Sequence, residues 1–129
     1  MSPTRRTRQA TAADFEAFFH RPPPPIWIGL VSEDEDGTIV GAGIVFWDDW
    51  GRAWGSYSAR KKLPALIMHR AALRMLAALE AAGEPALYIG GDPTLPGAAV
   101  WLQRLGFDRN PELDGDPKYP IWVKQWQRD

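Results

Sequence analysis

One stretch decides the fold: Arg52-Ala-Trp-Gly-Ser-Tyr-Ser-Ala-Arg-Lys-Lys-Leu-Pro-Ala65, which leads into a long apolar segment ending near Gly83. Its first half predicts a β-strand and its basic residues predict a loop. Pro64 is a residue type favoured in the first turn of a helix. A helix N-terminus presents unpaired backbone N–H groups and the positive end of the helix dipole, which together can hold a phosphate. The stretch therefore predicts a strand–loop–helix junction able to bind an anion.

The predicted helix runs from Leu63 to Ala82. Arg70 and Arg74 mark its solvent side, and Gly83 followed by Pro85 is typical of a helix end. The predicted core stripe consists of Met68, Ala71, Ala72, Met75, Leu79 and Ala82.

Upstream of this stretch, the sequence predicts a strand, a short helix and an antiparallel meander. The first strand is Arg6–Ala10, and Thr11 with Asp14 forms a capping signature for the helix. The prolines at 22–25 end that helix. The meander consists of Ile26–Ser32, Thr38–Trp47 and Arg52–Ala59, with turns at Asp36-Gly37 and Asp48-Asp49-Trp50-Gly51.

Downstream, the sequence predicts a strand at Ala86–Ile89, a helix at Pro96–Leu105, a polar acidic segment at Asp108–Tyr119 whose start is compatible with a short strand, and a strand at Ile121–Trp126. The order β-α-β-β-β-α-β-α-β predicts an α/β (α+β) fold with one central mixed, twisted sheet of about six to seven strands flanked by helices. Because there is no repeat and no long linker, residues 1–129 are expected to form a single domain.

Composition excludes several classes of function. The sequence has no cysteine, which excludes disulfides, thiolate metal sites and a cysteine nucleophile. With only His20 and His69, a metal site is not expected, and His69 is predicted to be a surface residue. A net charge of −1 predicts neither a nucleic-acid nor an anionic membrane partner. No apolar run approaches the roughly 20 residues of a membrane span, and a cytoplasmic location is expected.

The seven tryptophans are an unusual feature of this composition. Large amphipathic rings bury well in a small core, which accounts for some of them. Trp50 in a turn and Trp126 near the terminus are harder to bury, so a Trp-rich surface is expected to contact a protein partner or a second copy of the chain.

Three further motifs, in order along the chain, resemble the GCN5-related N-acetyltransferase (GNAT) family. They are Arg8-Gln-Ala-Thr-Ala-Ala-Asp14-Phe15, Asp36-Gly37-Thr-Ile-Val-Gly41 and Pro96-Gly-Ala98-Ala-Val-Trp-Leu102-Gln-Arg-Leu-Gly106-Phe107. The Trp-rich hairpin followed by Pro-Ala-Leu-x-x-His-Arg-Ala looks most like small GNAT-like proteins of tailed phages and prophages. The resemblance extends from Arg6 to Trp126 and implies the GNAT fold. For a phage-encoded protein, it implies the phage particle as the alternative location.

The resemblance also implies acetyl-CoA as co-substrate, inserted between two central strands that splay apart. The implied pantetheine contacts are the backbone groups of Tyr57, Ser58 and Ala59. The implied diphosphate contacts lie on the loop and the helix N-terminus, at Arg60, Lys61, Lys62, Leu63 and Ala65.

This loop departs from the family pattern Arg/Gln-x-x-Gly-x-Gly/Ala. Arg60 and Ala65 match it, but Leu63 replaces the first glycine and Pro64 removes one N–H donor. The basic residues can offset this with charge on the phosphates. The alternative interpretation is that Arg60, Lys61 and Lys62 form a solvated basic turn that binds no phosphate.

The resemblance implies a tyrosine acting as general acid four residues before Gly106, but Leu102 occupies that position and has no proton to give. The catalytic residues therefore remain unassigned. Asp48-Asp49 is more typical of a turn than of a catalytic pair, and a mid-strand Tyr57 is more typical of packing. The polar candidates for a base are Asp48, Asp49, Ser56 and Tyr57.

Two functions follow as expectations. The first is acetyl transfer from acetyl-CoA to a primary amine, directly within a ternary complex. An acidic segment such as the one after Asp108 is usually a solvated loop; the resemblance implies that it helps form the acceptor site and that the acceptor is a cationic amine. The second is a catalytically silent GNAT-fold module, used for binding or as a component encoded by a phage or prophage. Leu63, Pro64 and Leu102 favour this alternative.

Overall fold

The computed structural model describes residues 6–60, 65–90, 97–113 and 120–126. Lys61, Lys62, Leu63 and Pro64 lie outside these ranges. The elements are β1 Arg6–Gln9, α1 Ala12–Phe19, β2 Trp27–Glu33, β3 Ile39–Trp47, β4 Ala53–Ala59, α2 Ala65–Ala81, β5 Ala86–Gly90, α3 Ala98–Arg104, β6 Asp108–Arg109, a 3₁₀ turn Pro111–Leu113 and β7 Ile121–Gln125. This confirms the predicted α/β (α+β) class, and β6 is a short strand at the start of the predicted acidic segment.

The described strands form one sheet in the order β1-β2-β3-β4-β5-β7-β6. Neighbouring strands are antiparallel except for β4 and β5, which are parallel. Two parallel neighbours require a crossover connection, and α2 supplies it. The helix and the parallel pair are therefore one structural unit.

The helices lie on opposite faces of this sheet. Val45 of β3 belongs to a core cluster with Leu79 of α2 and Leu105 of α3. Ala42, three residues earlier in β3, belongs to a second cluster with Phe18 of α1. Because strand residues alternate between faces, α1 covers one face and α2 and α3 cover the other.

The buried stripe of α2 is wider than predicted. Leu79 is buried and Met75 packs against the core, as expected, but Leu76 is also buried and Ala82 is exposed beyond the helix end. α2 packs against both the sheet and α3 in one core cluster. A broader part of its surface is therefore buried than a single stripe of residues.

The tryptophans divide between core and surface. Trp122 is buried, and Trp126, predicted to be hard to bury, packs against the core. Trp50 is 83% exposed in the β3–β4 turn, which confirms the prediction for that residue. Among the described residues, no helix is long and apolar enough to cross a membrane.

The N-terminus of α1 has the predicted cap. The backbone N–H of Asp14 donates to the Thr11 hydroxyl at 3.2 Å, and the Asp14 carboxylate accepts from the Thr11 N–H at 2.8 Å. Arg8 donates to both Asp14 carboxylate oxygens, at 2.6 and 3.0 Å, and to Glu33 at 2.9 Å. One arginine thus joins β1, β2 and α1.

Asp14→Asn tests this junction through pH. The hydrogen bonds from Arg8 lower the pKa of the Asp14 carboxyl below its ordinary value. Its stabilisation is therefore complete above the unfolded pKa of about 3.9 and is lost as pH falls through the lower folded pKa. We expect Asp14→Asn to lower the free energy of unfolding at pH 7 by about 2 kcal/mol. In acid, the difference from wild type should shrink.

Chemical denaturation at neutral and acidic pH measures both effects. Asp49→Asn is the control, because Asp49 is exposed in the β3–β4 turn and its change should shift the free energy by less than about 0.5 kcal/mol. An Asp14→Asn variant as stable as wild type at pH 7 would contradict the assigned role.

Candidate functional site

β4 has different described partners along its two edges. On one side, β4 pairs with β3 along its whole length, from Gly41↔Ala59 to Trp47↔Ala53. On the other side it pairs with β5 only at Ala53↔Leu87, Trp54↔Tyr88 and Gly55↔Ile89. In the part of the chain that the structure describes, no strand pairs with the β5-facing edge of residues 56–59. Backbone N–H and C=O groups along such an edge can bond an extended ligand that carries amides.

Gly55 lies opposite Ile89 of β5. A Cβ at this position would lie 3.0 Å from Cγ1 and 3.2 Å from Cδ1 of Ile89, which is closer than side chains normally approach. The side chain of Ile89 therefore packs close to the β4 backbone, and a side chain at position 55 would require it to shift by a few tenths of an ångström. Gly55↔Ile89 is the last pair between the two strands among the described residues.

The N-terminus of α2 lies at the same end of the sheet. The helix begins at Ala65, shortly after β4 ends at Ala59, and its first turn contains no acidic side chain. The positive end of its dipole is therefore not offset by a carboxylate of its own. An anion at this position would be favoured.

The three predicted pantetheine contacts lie on the open part of β4. Tyr57 lies opposite Gly43, and its ring is in van der Waals range of this position, 3.8 Å from where a Cβ on Gly43 would lie. Ser58 is half-buried and Ala59 is exposed. Burial raises the pKa of the Tyr57 phenol. The hydroxyl therefore stays neutral near pH 7 and is a poor base.

Arg60 has partners on the other face of the sheet. Its backbone N–H donates to the Val40 carbonyl at 2.9 Å. Its guanidinium donates to the carbonyls of Ala17 and Phe18 at 3.2 and 3.1 Å and lies 4.5 Å from the centre of the Phe18 ring. All of these side-chain partners belong to α1, whereas α2 covers the opposite face.

Asp48 is a turn residue. This was the favoured prediction for Asp48-Asp49, over a catalytic pair. Its Oδ1 accepts from the backbone N–H groups of Trp50 and Arg52, both at 2.9 Å. Its Oδ2 accepts from Nε1 of Trp54 at 2.9 Å and from Nε of Arg52 at 3.2 Å. Burial acts to raise the pKa of this carboxyl, but the hydrogen bonds together outweigh burial. The pKa of Asp48 is therefore lowered below its ordinary value. These bonds make Asp48 a structural carboxylate and a weak base.

Leu102, at the position where the resemblance implies a tyrosine, is buried in the core cluster that α2 and α3 share. Its neighbour Trp101 donates its indole N–H to Nδ1 of His69 at 3.3 Å. His69 is half-buried, so the prediction of a surface histidine is wrong. An imidazole that accepts at Nδ1 carries its proton on Nε2 when neutral. This bond joins α3 to the N-terminal half of α2.

Neither the His69–Trp101 bond nor the contacts of Arg60 with α1 were predicted from the sequence. The partners are separated by 32 residues in one case and by 42 and 43 in the other, so local spacing could not reveal them. Within the described ranges, no group of three or more His, Cys, Asp or Glu residues could hold a metal ion.

Trp101→Phe tests the bond between α2 and α3. Losing the indole donor should lower the free energy of unfolding by about 1 kcal/mol and leave the His69 ring free to exchange tautomers. Nitrogen-15 NMR of the imidazole reads the tautomer directly, and denaturation reads the stability. Exposed His20 is the internal reference in the same spectra. An unchanged His69 tautomer signal in the variant would exclude the indole as its cause.

No protein-family model matches the sequence, and no curated protein does either. Solved structures do share its fold. The ribosomal-protein-S18-alanine N-acetyltransferase of Escherichia coli is 15% identical, with 98% of this chain and 96% of that chain covered and a TM-score of 0.72. yncA of Salmonella typhimurium, solved with its cofactor acetyl-CoA, is 13% identical, with 97% of this chain and 95% of that chain covered and a TM-score of 0.70. An acetyltransferase of the GNAT family from Staphylococcus aureus is 10% identical, with 78% of this chain and 69% of that chain covered and a TM-score of 0.66. The chain therefore has the fold of the GNAT acetyltransferases.

Proposed function

We propose that this chain is an acetyl-CoA-dependent N-acetyltransferase that acts on a primary amine by direct transfer in a ternary complex. The observation that supports this most is the open edge of β4 at residues 56–59, which leads into the N-terminus of α2. The fold is that of proteins such as yncA, solved with acetyl-CoA. A cytoplasmic location belongs to the same proposal.

The residues on this edge fit the shape and chemistry of CoA. Pantetheine is an extended arm with two amides, and the backbone of Tyr57, Ser58 and Ala59 offers matching donors and acceptors along an edge that has no described strand partner. This backbone would hold the arm straight and keep water from its amides. Acetyl-CoA itself would supply an acetyl group activated as a thioester.

The diphosphate would lie at the N-terminus of α2. Backbone N–H groups of Leu63 and Ala65 and the positive end of the helix would face it, and Lys61 and Lys62 would add charge. The Arg60 guanidinium is bonded to α1 on the opposite face, so this proposal takes no charge from it.

Catalysis on this proposal depends on positioning. Leu102 cannot donate a proton, the Tyr57 phenol stays neutral, and the Asp48 carboxylate is held by hydrogen bonds. Holding an amine and a thioester in contact is itself a large part of the acceleration of a bimolecular reaction. The base and the acid of the reaction are left unassigned.

The second candidate is a catalytically silent GNAT-fold module, as would suit a component of a phage or prophage. The burial of Leu102 in the hydrophobic core favours it, because the side chain at the acid position serves packing. The exposed Trp50 would then serve a protein partner or a second copy of the chain.

Calorimetric titration with CoA tests the proposed site. The wild-type chain should bind, and Lys61→Ala/Lys62→Ala should bind roughly tenfold more weakly, because two charges near the diphosphate are lost. Arg70→Ala/Arg74→Ala is the matched control: it removes two exposed positive charges from the same helix and should change affinity little. Absence of heat from wild type at millimolar CoA would refute the acetyltransferase proposal.

Leu63→Gly tests the altered phosphate loop. Glycine lets backbone N–H groups approach the diphosphate without a Cβ in the way, so the variant should bind CoA roughly threefold to tenfold more tightly. Pantetheine, which lacks the phosphates, is the control ligand and should bind both forms equally. Equal affinity of both forms for CoA would show that Leu63 does not obstruct the loop.

Thiol release separates the enzyme from the silent module. Because the sequence contains no cysteine, a thiol-reactive dye reports only the CoA freed from acetyl-CoA. An enzyme should release CoA faster with at least one member of a panel of polyamines, lysine peptides and N-terminal amines. Tight CoA binding with no release above the rate without protein, across the whole panel, would favour the silent module.

A further inference from the structure

Arg60 lies between the proposed pantetheine edge of β4 and the N-terminus of α2, where the diphosphate is proposed to bind. It follows Ala59, the last residue of β4, and precedes the basic loop that leads to α2. Its backbone N–H continues the pairing with β3 through the Val40 carbonyl. Its main chain thus belongs to the proposed cofactor edge, while its side chain contacts α1.

The contacts of the side chain are those of a helix C-terminal cap. The carbonyls of Ala17 and Phe18 belong to the last turn of α1, whose final carbonyls have no partner within the helix. The last turn of α1 contains no basic residue of its own. A cation at this end is favoured by the helix dipole, and the Phe18 ring below the guanidinium adds a cation–π contact.

The register of the sheet keeps this side chain away from the phosphate site. Ser58 lies opposite Ala42, which belongs to the core cluster with Phe18 on the α1 face. Arg60, two residues further along, faces the same way and contacts Phe18. The core of α2 lies on the other face.

We propose that Arg60 is a positioning residue that couples the cofactor edge of β4 to the C-terminus of α1. The inference rests on the proposed function, because the coupling matters only where CoA binds to that edge. A ligand that orders the backbone of residues 56–60 would fix the guanidinium in place and, through it, the last turn of α1. Binding of CoA would thus stabilise the last turn of α1, on the face of the sheet opposite to α2.

Hydrogen exchange of the α1 amides, with and without CoA, tests this coupling. In the free protein, Arg60→Met should speed exchange in the last turn of α1 by roughly tenfold, since it removes charged hydrogen bonds to two carbonyls. In wild type, CoA should slow exchange there. In Arg60→Met, CoA should bind within about twofold of wild-type affinity, as expected for a guanidinium away from the phosphates, and should no longer slow exchange in α1.

Two variants make the test specific. Arg60→Lys keeps the charge but loses the planar fork, so it should restore only part of the protection. Arg21→Met removes the arginine that lies 5.5 and 5.8 Å from the ring centres of Phe15 and Phe19, within the same helical segment. Because these contacts do not involve β4, CoA should still slow exchange in α1 of Arg21→Met.

Three results would overturn the inference. The first is a loss of CoA affinity of tenfold or more in Arg60→Met with a weaker dependence on salt, which would make Arg60 a phosphate ligand. The second is CoA-dependent protection of α1 that persists in Arg60→Met. The third is unchanged exchange of α1 in the unliganded variant. If wild type does not bind CoA, the proposed function and the coupling both fail, while exchange in the free protein still decides whether Arg60 holds α1.

Discussion

The ladder between β3 and β4 extends over the whole of β4, and the candidate site depends on it. On its other side β4 is parallel to β5, because α2 crosses over between them, and the last described pair is Gly55↔Ile89. Since β3 pairs with β4 as far as Ala59, residues 56–59 are extended and have no described strand partner on the β5 side. The proposed pantetheine edge and the position of Arg60 at its end both follow from this ladder.

Several polar side chains of the sheet and its turns are held in structural contacts, which reduces the number of groups available for catalysis. Asp48 closes a turn, and Arg60 caps α1. Lys124 similarly donates to the Leu105 carbonyl at the end of α3, where a Cβ on Gly106 would collide with its ammonium group. Two helices therefore receive a basic side chain from the sheet at their C-terminal ends, in addition to their own backbone caps. Backbone groups and the loop before α2 are left as the principal means of holding a ligand.

The parts of this structure that could be predicted from the sequence are those set by residues close together in the chain. The Thr11–Asp14 capping box depends on a spacing of three residues, and the structure has it. The long helix was predicted over Leu63–Ala82, and the structure describes it over Ala65–Ala81; Leu63 and Pro64 lie outside the described residues. Leu76 was missed because the width of a buried helix face depends on what packs against it, which single-sequence periodicity does not contain. His69 was misjudged for the same reason: its partner Trp101 comes from another helix.

The ladder between β3 and β4 also decides what kind of contact a ligand could make at residues 56–59. Because these residues are already paired with β3 on one side, an extended ligand bonded to their other side would add to the sheet as a further strand. Its affinity would come largely from main-chain groups, which side-chain substitutions at these positions leave in place.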